Sequence, residues 1–197
     1  MGQIIISVGR EFGSGGRVIA EALAKRFDIP IYDRHLILEI AEKTGLAPEL
    51  IEKYNENPKH RLTSRNVRGY SNSIEDNIAE MQFKFIEDKA ASGESFVVVG
   101  RCSETKLRKF DSLVSLFILG DMDEKIKRVM EVYDLSQDKA KELISKKDKK
   151  RKRYHNSHCN AYWGDSRLYD LSINSSRLGI DGTVDILEKY IRARNNA

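Results

Sequence analysis

The sequence predicts a three-layer α/β domain built on a parallel sheet, and three observations carry that expectation. Residues 3–8 are β-branched and almost continuously apolar, as a strand buried on both faces must be. A glycine-rich turn, 9–16, follows and leads into a stretch where Val18, Ile19, Ala22, Leu23, Ala24 and Phe27 recur at helical spacing. Further short apolar runs at 95–99 and 113–119 alternate downstream with helical patterns, the signature of helices packed on both faces of one sheet.

The remaining elements follow in order. Residues 29–32 read as a short second strand, completing a β-α-β unit with a right-handed crossover. From 33 to 93 the pattern is mostly helical. Leu36, Ile37, Ile40 and Ala41 form one stripe, and Ile74, Ile78, Met81, Phe85 and Ile86 another. Between them, residues 57–72 carry Lys59, His60, Arg61, Arg65 and Arg68 with few apolar partners, so this stretch reads as mobile or ordered by a ligand. Helices are expected over 122–133 and 136–154, a fifth strand over 171–174 and a closing helix over 182–194. No internal repeat or low-complexity linker divides the 197 residues, so one domain with two helical insertions is expected.

Composition narrows the classes. Apolar residues make up 40% and charged residues 32%, enough to bury a core and too polar for a membrane protein. No apolar run approaches the ~20 residues that span a bilayer. No basic segment followed by an apolar one opens the chain, which predicts a cytoplasmic protein, and Ile6 in place of Ser or Thr argues against myristoylation at Gly2. Cys102 and Cys159 lack the spacing of a zinc motif and the density of a disulfide scaffold, so both read as plain thiols. His35, His60, His155 and His158 read as surface histidines, because His155 and His158 share a helical spacing but have no third ligand. The formal net charge of +4 is too small to name a partner.

The main chemical signal is Gly9-Arg10-Glu11-Phe12-Gly13-Ser14-Gly15-Gly16-Arg17. A glycine loop between a buried strand and a helix offers backbone N–H groups and the positive helix end to a phosphate. It departs from G-x-x-x-x-G-K-[ST], since Gly16 stands at the lysine and Arg17 at the hydroxyl residue, and a tight turn without ligand is the alternative. Arg101 follows a buried strand, where α/β ligands bind, or is a surface arginine. Asp33 follows the second strand, facing a ligand or capping the next helix. Residues 146–153 hold seven cations in eight residues, with Lys147, Arg151 and Tyr154 on one helical face beside Asp148. That run suits a phosphate-closing lid, a solvated face or a nucleic-acid patch, although no aromatic residue interrupts it as stacking on bases would require. Trp163 and Tyr169 could stack on a base or pack against a hinge.

These blocks, with Pro30-Ile-Tyr-Asp-Arg34, Gly100-Arg-Cys102, Asp148 with Arg151 and Tyr154, Trp163-Gly-Asp165, Tyr169-Asp-Leu171 and Ile173-Asn-Ser-Ser176, resemble the cytidylate kinase-like family in order along nearly the whole chain. The resemblance implies a P-loop nucleoside monophosphate kinase fold spanning 1–197, with a five-stranded parallel sheet, a monophosphate-binding insertion at 34–93 and a lid at 146–168. It implies phosphoryl transfer from ATP, with Mg2+, to a nucleoside monophosphate, CMP or dCMP. In that reading Gly13, Ser14, Gly15, Gly16 and Arg17 cradle ATP phosphates, with Asn174 and Ser176 beside the adenine. Asp33 and Arg101 hold the acceptor, and Arg151 and Arg153 act on the transferring group. No magnesium ligand is evident, and Cys102 stands where cytidylate kinases carry an aspartate. A nucleotide-binding module without activity, or an RNA-binding protein using 146–153, remain the alternatives. No membrane partner is expected.

Overall fold

A computed structural model describes residues 2–33, 49, 66–67, 70–71 and 73–195. Five strands, β1 (Ile5–Arg10), β2 (Ile31–Tyr32), β5 (Phe96–Val99), β6 (Leu113–Leu119) and β7 (Leu171–Asn174), form one sheet in the order β2-β5-β1-β6-β7. Every neighbouring pair is parallel, as the apolar strands predicted. β1 runs two residues later than its apolar pattern because Gly9 and Arg10 still pair with Phe117 and Ile118 of β6. β2 is shortened from its start, since Ile29 N–H is consumed by Ala24 O of the preceding helix and Pro30 has no N–H to give.

The continuous apolar runs are explained by two-sided burial. Ile6 and Val8, with Val97, Val99, Leu116 and Ile118, face α1 (Gly16–Phe27) and α6 (Ser175–Asn195), where Ile19, Leu23, Val184 and Leu187 complete one core. Ile5, Phe96, Val98 and Leu113 face α2 (Ile74–Ala91) with Ile78, Phe85 and Ile86. The short α3 (Ser103–Lys106) follows β5, and Ser7 beneath it shares a 2.7 Å hydroxyl contact with Ser103. A smaller core joins α4 (Met122–Tyr133) to α5 (Gln137–His158) through Ile126, Val129, Ala140 and Ile144.

Two helices outrun their patterns. α5 continues past Tyr154 to His158, because Tyr154 and His155 are buried rather than lost to solvent. α6 begins at Ser175 instead of 182, the apolar period being broken at Gly179, where φ is 69° and the helix kinks. The first helical stripe, 36–41, lies outside the described residues, as does most of the basic stretch 57–72. Of that stretch, β3 (Asn66–Val67) and β4 (Tyr70–Ser71) form an antiparallel pair. The expected lid boundary at 146 falls inside α5, which is one uninterrupted helix. No helix among the described residues is long and apolar enough to cross a membrane.

Phe117 is 2% exposed and meets Trp163 and Tyr169 with ring centroids 5.4 and 4.9 Å away. Both rings pack on Phe117. Phe117→Ala should lower unfolding free energy by about 3–5 kcal/mol in a denaturant titration. Hydrogen exchange in 163–169 should accelerate more than exchange in α1.

Candidate active site

The loop from Arg10 to Gly16 leaves the carboxyl edge of β1 at the centre of the sheet, where its backbone is gripped from three sides. Ser14 turns inward, fully buried, and donates to Glu11 O at 2.9 Å. Gly15 caps α1 with φ 77°, and a Cβ there would collide with Ile180, so glycine is required twice over. Arg128 of α4 donates to Gly13 O at 2.9 Å, and Arg151 of α5 donates to Arg10 O at 3.2 Å while its guanidinium lies over the Phe12 ring.

Beneath the loop sits a buried cation. Lys125, 3% exposed, places Nζ 3.0 Å from Glu11 Oε2 and 3.2 Å from Asp148 Oδ2. Glu11 also accepts from Gly120 N–H at 3.2 Å, and Asp148 accepts from Phe12 N–H at 2.7 Å. Burial pushes the Asp148 carboxyl up from its usual range, against the lowering effect of the Phe12 N–H and Lys125. Loop, α4 and α5 are thus joined through one ammonium group.

Over this base opens a cavity of about 390 Å³. Its floor is the loop, with Gly13, Gly15, Gly16 and Arg17. Asp33, against Arg17, and Arg101 also line it, Lys147, Lys150 and Arg151 line the α5 side, and Phe12, Val18, Val129, Val132 and Tyr133 supply its apolar lining. Of the residues expected from sequence, Gly13, Gly15, Gly16, Arg17, Asp33, Arg101 and Arg151 share this cavity. Ser14 lies behind it. Arg17 is held by Asp33 at 3.1 Å and Glu21 at 2.9 Å. Arg153 is exposed and lines no part of it, while Lys150 does. Asn174 and Ser176 are likewise absent from the wall: Asn174 donates to Asp121 Oδ1 at 2.7 Å, and Ser176 Oγ accepts from Asp121 N–H at 2.9 Å, so both brace the start of α4.

Arg101 is built into the wall by strain. Gly100, Arg101 and Cys102 take φ values of 74°, 63° and 53°, three left-handed residues in succession. Each non-glycine member costs about 1–3 kcal/mol, and such cost persists where the surroundings over-determine it. Here Ser103 closes the turn, donating Oγ–H to Gly100 O at 2.6 Å, and a Cβ at Gly100 would strike the Arg10 guanidinium. The result is an arginine 4% exposed at the strand end.

Two residues read as surface or plain groups are neither. His155 is 4% exposed with Nε2 2.6 Å from Glu104 Oε1, and Cys159 is buried beside it. Burial lowers the His155 pKa, but hydrogen bonds to Cys159 and Glu104 outweigh it and push the imidazole up to about 10. A hydrogen bond from Cys102 and the His155 cation bring the Cys159 thiol down to about 5 against burial, while the Cys102 thiol is pushed up by that same bond and by burial. Sequence spacing had no means of pairing Glu104 with a histidine 51 residues later. Nor could it separate Lys125 and Arg128 from the solvated charges of an amphipathic helix.

Lys125→Met should destabilise the fold by about 3 kcal/mol in chemical denaturation, because two carboxylates lose their shared partner. The His155–Cys159 pair sets a pH window. Cys159, depressed from 9.0, contributes stability that is full above pH 9 and lost as pH falls through about 5, whereas His155, raised from 6.5, contributes stability that is full below 6.5 and lost as pH rises through about 10. In EDTA-treated protein, thiolate absorbance should therefore persist at neutral pH, vanish below about pH 5, and be absent at neutral pH in Cys159→Ser.

Comparison with known proteins bears on the family and the fold. The model of the cytidylate kinase-like family matches residues 5–177. A crystal structure of an uncharacterized protein from Eubacterium ventriosum is 39% identical, with 96% of this chain and 99% of that chain covered and a TM-score of 0.76. Shikimate kinase from Bacteroides thetaiotaomicron is 15% identical over 96% of this chain and 98% of its own at TM-score 0.56, and that from Aquifex aeolicus is 16% identical over 98% and 99% at 0.50. These two share the fold alone. No curated protein matches the chain. With a family match over most of its length and the P-loop kinase fold beneath it, the chain belongs to the cytidylate kinase-like family.

Proposed function

We propose that the chain transfers the γ-phosphoryl group of ATP to a nucleoside monophosphate, CMP or dCMP being the acceptor to which the family points. One observation carries the reading: the glycine loop, Arg101 and Arg151, from three separate parts of the chain, line a single cavity of about 390 Å³. Loop amides and the start of α1 suit the phosphates of ATP. Arg101 suits the acceptor phosphate, with Asp33 lining the same cavity. A phosphate oxygen of the acceptor forms the new bond to the γ-phosphorus as the bridging bond to ADP breaks, and little covalent chemistry falls to the protein. Arg151, within the α5 wall, is the cation proposed to meet charge on the transferring group. Arg153 lies off that wall and is given no part in the transfer.

The donor set fits phosphate better than magnesium. Among the described cavity-lining residues the carboxylates are Glu11 and Asp33, and each already holds a cation, Lys125 or Arg17. Magnesium would then be carried on the phosphates of the nucleotide and on water, as its reluctance to shed water favours.

A coupled assay of ATP and magnesium against the common nucleoside monophosphates, with shikimate as the non-nucleotide comparison, should give turnover with a pyrimidine monophosphate. Arg101→Ala should lower kcat/KM for the acceptor by about 10–100-fold, the loss of a charge-assisted phosphate contact, and leave KM for ATP within about threefold. Arg151→Ala should lower kcat by at least about 10²-fold. Equal loss for both ligands in Arg101→Ala would remove it from the acceptor side. A melting temperature raised by ATP without turnover on any acceptor would identify a binding module in place of an enzyme.

A further inference from the structure

At the C-terminal end of α5, about one turn beyond Arg151, four side chains from two parts of the chain converge. Cys102 and Glu104 come from the strained turn after β5 and the start of α3, His155 from the last turn of α5, and Cys159 from the residue that caps it. Glu104, His155 and Cys159 each offer a ligand atom, and these lie within 4.8 Å of one another. Cys102 packs with Cys159 in one buried cluster, outside that 4.8 Å group, and offers a fourth ligand once its thiol turns toward the other three. Exposures of 3% for Cys102, 2% for Glu104, 4% for His155 and 7% for Cys159 make the group closed to bulk water. A void of about 20 Å³ touches Cys102, Glu104 and His155, which is room for one water-sized occupant.

We propose that these four residues are a binding site for a divalent cation, with zinc the ion that the donors match. Two thiolates, an imidazole and a carboxylate combine the soft and borderline donors that select zinc, and four protein ligands without an open position make a structural rather than a catalytic centre. Bonds of about 2.0–2.3 Å set tetrahedral ligands about 3.3–3.8 Å apart. The Glu104–His155 contact of 2.6 Å then has to open by about an ångström, the widest pair of the Glu104, His155 and Cys159 group has to close by a similar amount, and Cys102 has to move in toward them. Loading at neutral pH releases one proton from the imidazolium and one from the Cys102 thiol, Cys159 being already a thiolate, so the hydrogen bonds among these groups are exchanged for metal bonds. Three anionic ligands and a divalent ion leave one net negative charge, and Arg101, lining the same void, supplies the opposite one.

The centre would tie the end of α5 to the turn that presents Arg101. It stands independently of the phosphoryl-transfer reading, since its ligands include none of the residues given a part in that reaction. His158 is outside the ligand set: it packs on Phe83 and Tyr154 instead.

The test uses the full chain, reduced and stripped with EDTA, titrated with Zn2+, with Co2+ as a spectroscopic probe and with Mg2+ as comparison. Expected are one equivalent of zinc by elemental analysis, a thiolate-to-cobalt charge-transfer band with intense tetrahedral d–d bands, and a melting temperature raised by Zn2+ but not Mg2+. Cys159→Ser and His155→Ala should each bind at least about tenfold more weakly, and His158→Ala like the parent. Wild-type protein that takes up no zinc and shows no cobalt–thiolate band overturns the proposal whatever the variants do. So does zinc uptake undiminished in folded Cys102→Ser, Cys159→Ser and His155→Ala, which would mark an adventitious ion. A Cys102–Cys159 disulfide in unreduced protein, with no metal taken up after reduction, would overturn it in favour of a redox pair.

Discussion

The Lys125 ammonium group is the constraint on which the site depends. Removing a lysine from water is costly, and the cost is met only if carboxylates close around it with good geometry. Glu11 and Asp148 do so, but one lies in the glycine loop and the other in α5, so satisfying the charge fixes where both elements stand. The loop cannot shift without uncovering Lys125, and α5 cannot withdraw Asp148 without also releasing the Phe12 amide. Cavity floor and cavity wall are therefore positioned by one electrostatic requirement.

This arrangement recasts the absence of a loop lysine. A Cβ at position 16 would strike the Arg10 side chain, so the backbone leaves no room for a lysine there, and the cations that line the cavity come from elsewhere: Arg101 from the strand end, and Lys147, Lys150 and Arg151 from α5. Arg128 and Arg151 also donate to the loop carbonyls of Gly13 and Arg10, so these two oxygens are already satisfied by cations. The charge that one flexible side chain usually supplies is distributed over rigid elements. Arg17 is engaged by Asp33 and Glu21.

Much of the fold was legible because two-sided burial writes continuous apolar runs. β6, β7 and α4 fall on their expected residues, and the P-loop fold is as the motifs implied. Errors lie where polar or special residues carry structure: Gly179 hides the first turn of α6, and buried Tyr154 and His155 extend α5 beyond its apolar period. In the site, glycine spacing and strand ends found the loop, Asp33 and Arg101. Helical phase distinguishes Lys147, Lys150 and Arg151, at i, i+3 and i+4, from Arg153 on another side. What sequence could not reveal was pairing over distance, since Lys125 reads like any charge of an amphipathic helix and Glu104 meets His155 only after the chain has crossed the sheet.

α5 is a single helix of 22 residues, and its middle and end are anchored to different things. Asp148 is fastened to the loop and Lys125, and His155, seven residues and about 10 Å further along, is fastened to Glu104. A rod held in this way does not flap from a soft hinge. A displacement of its first half is carried past Asp148 to the far tip and the turn that presents Arg101, so the two sides of the cavity are geared together by a lever whose fulcrum is one carboxylate.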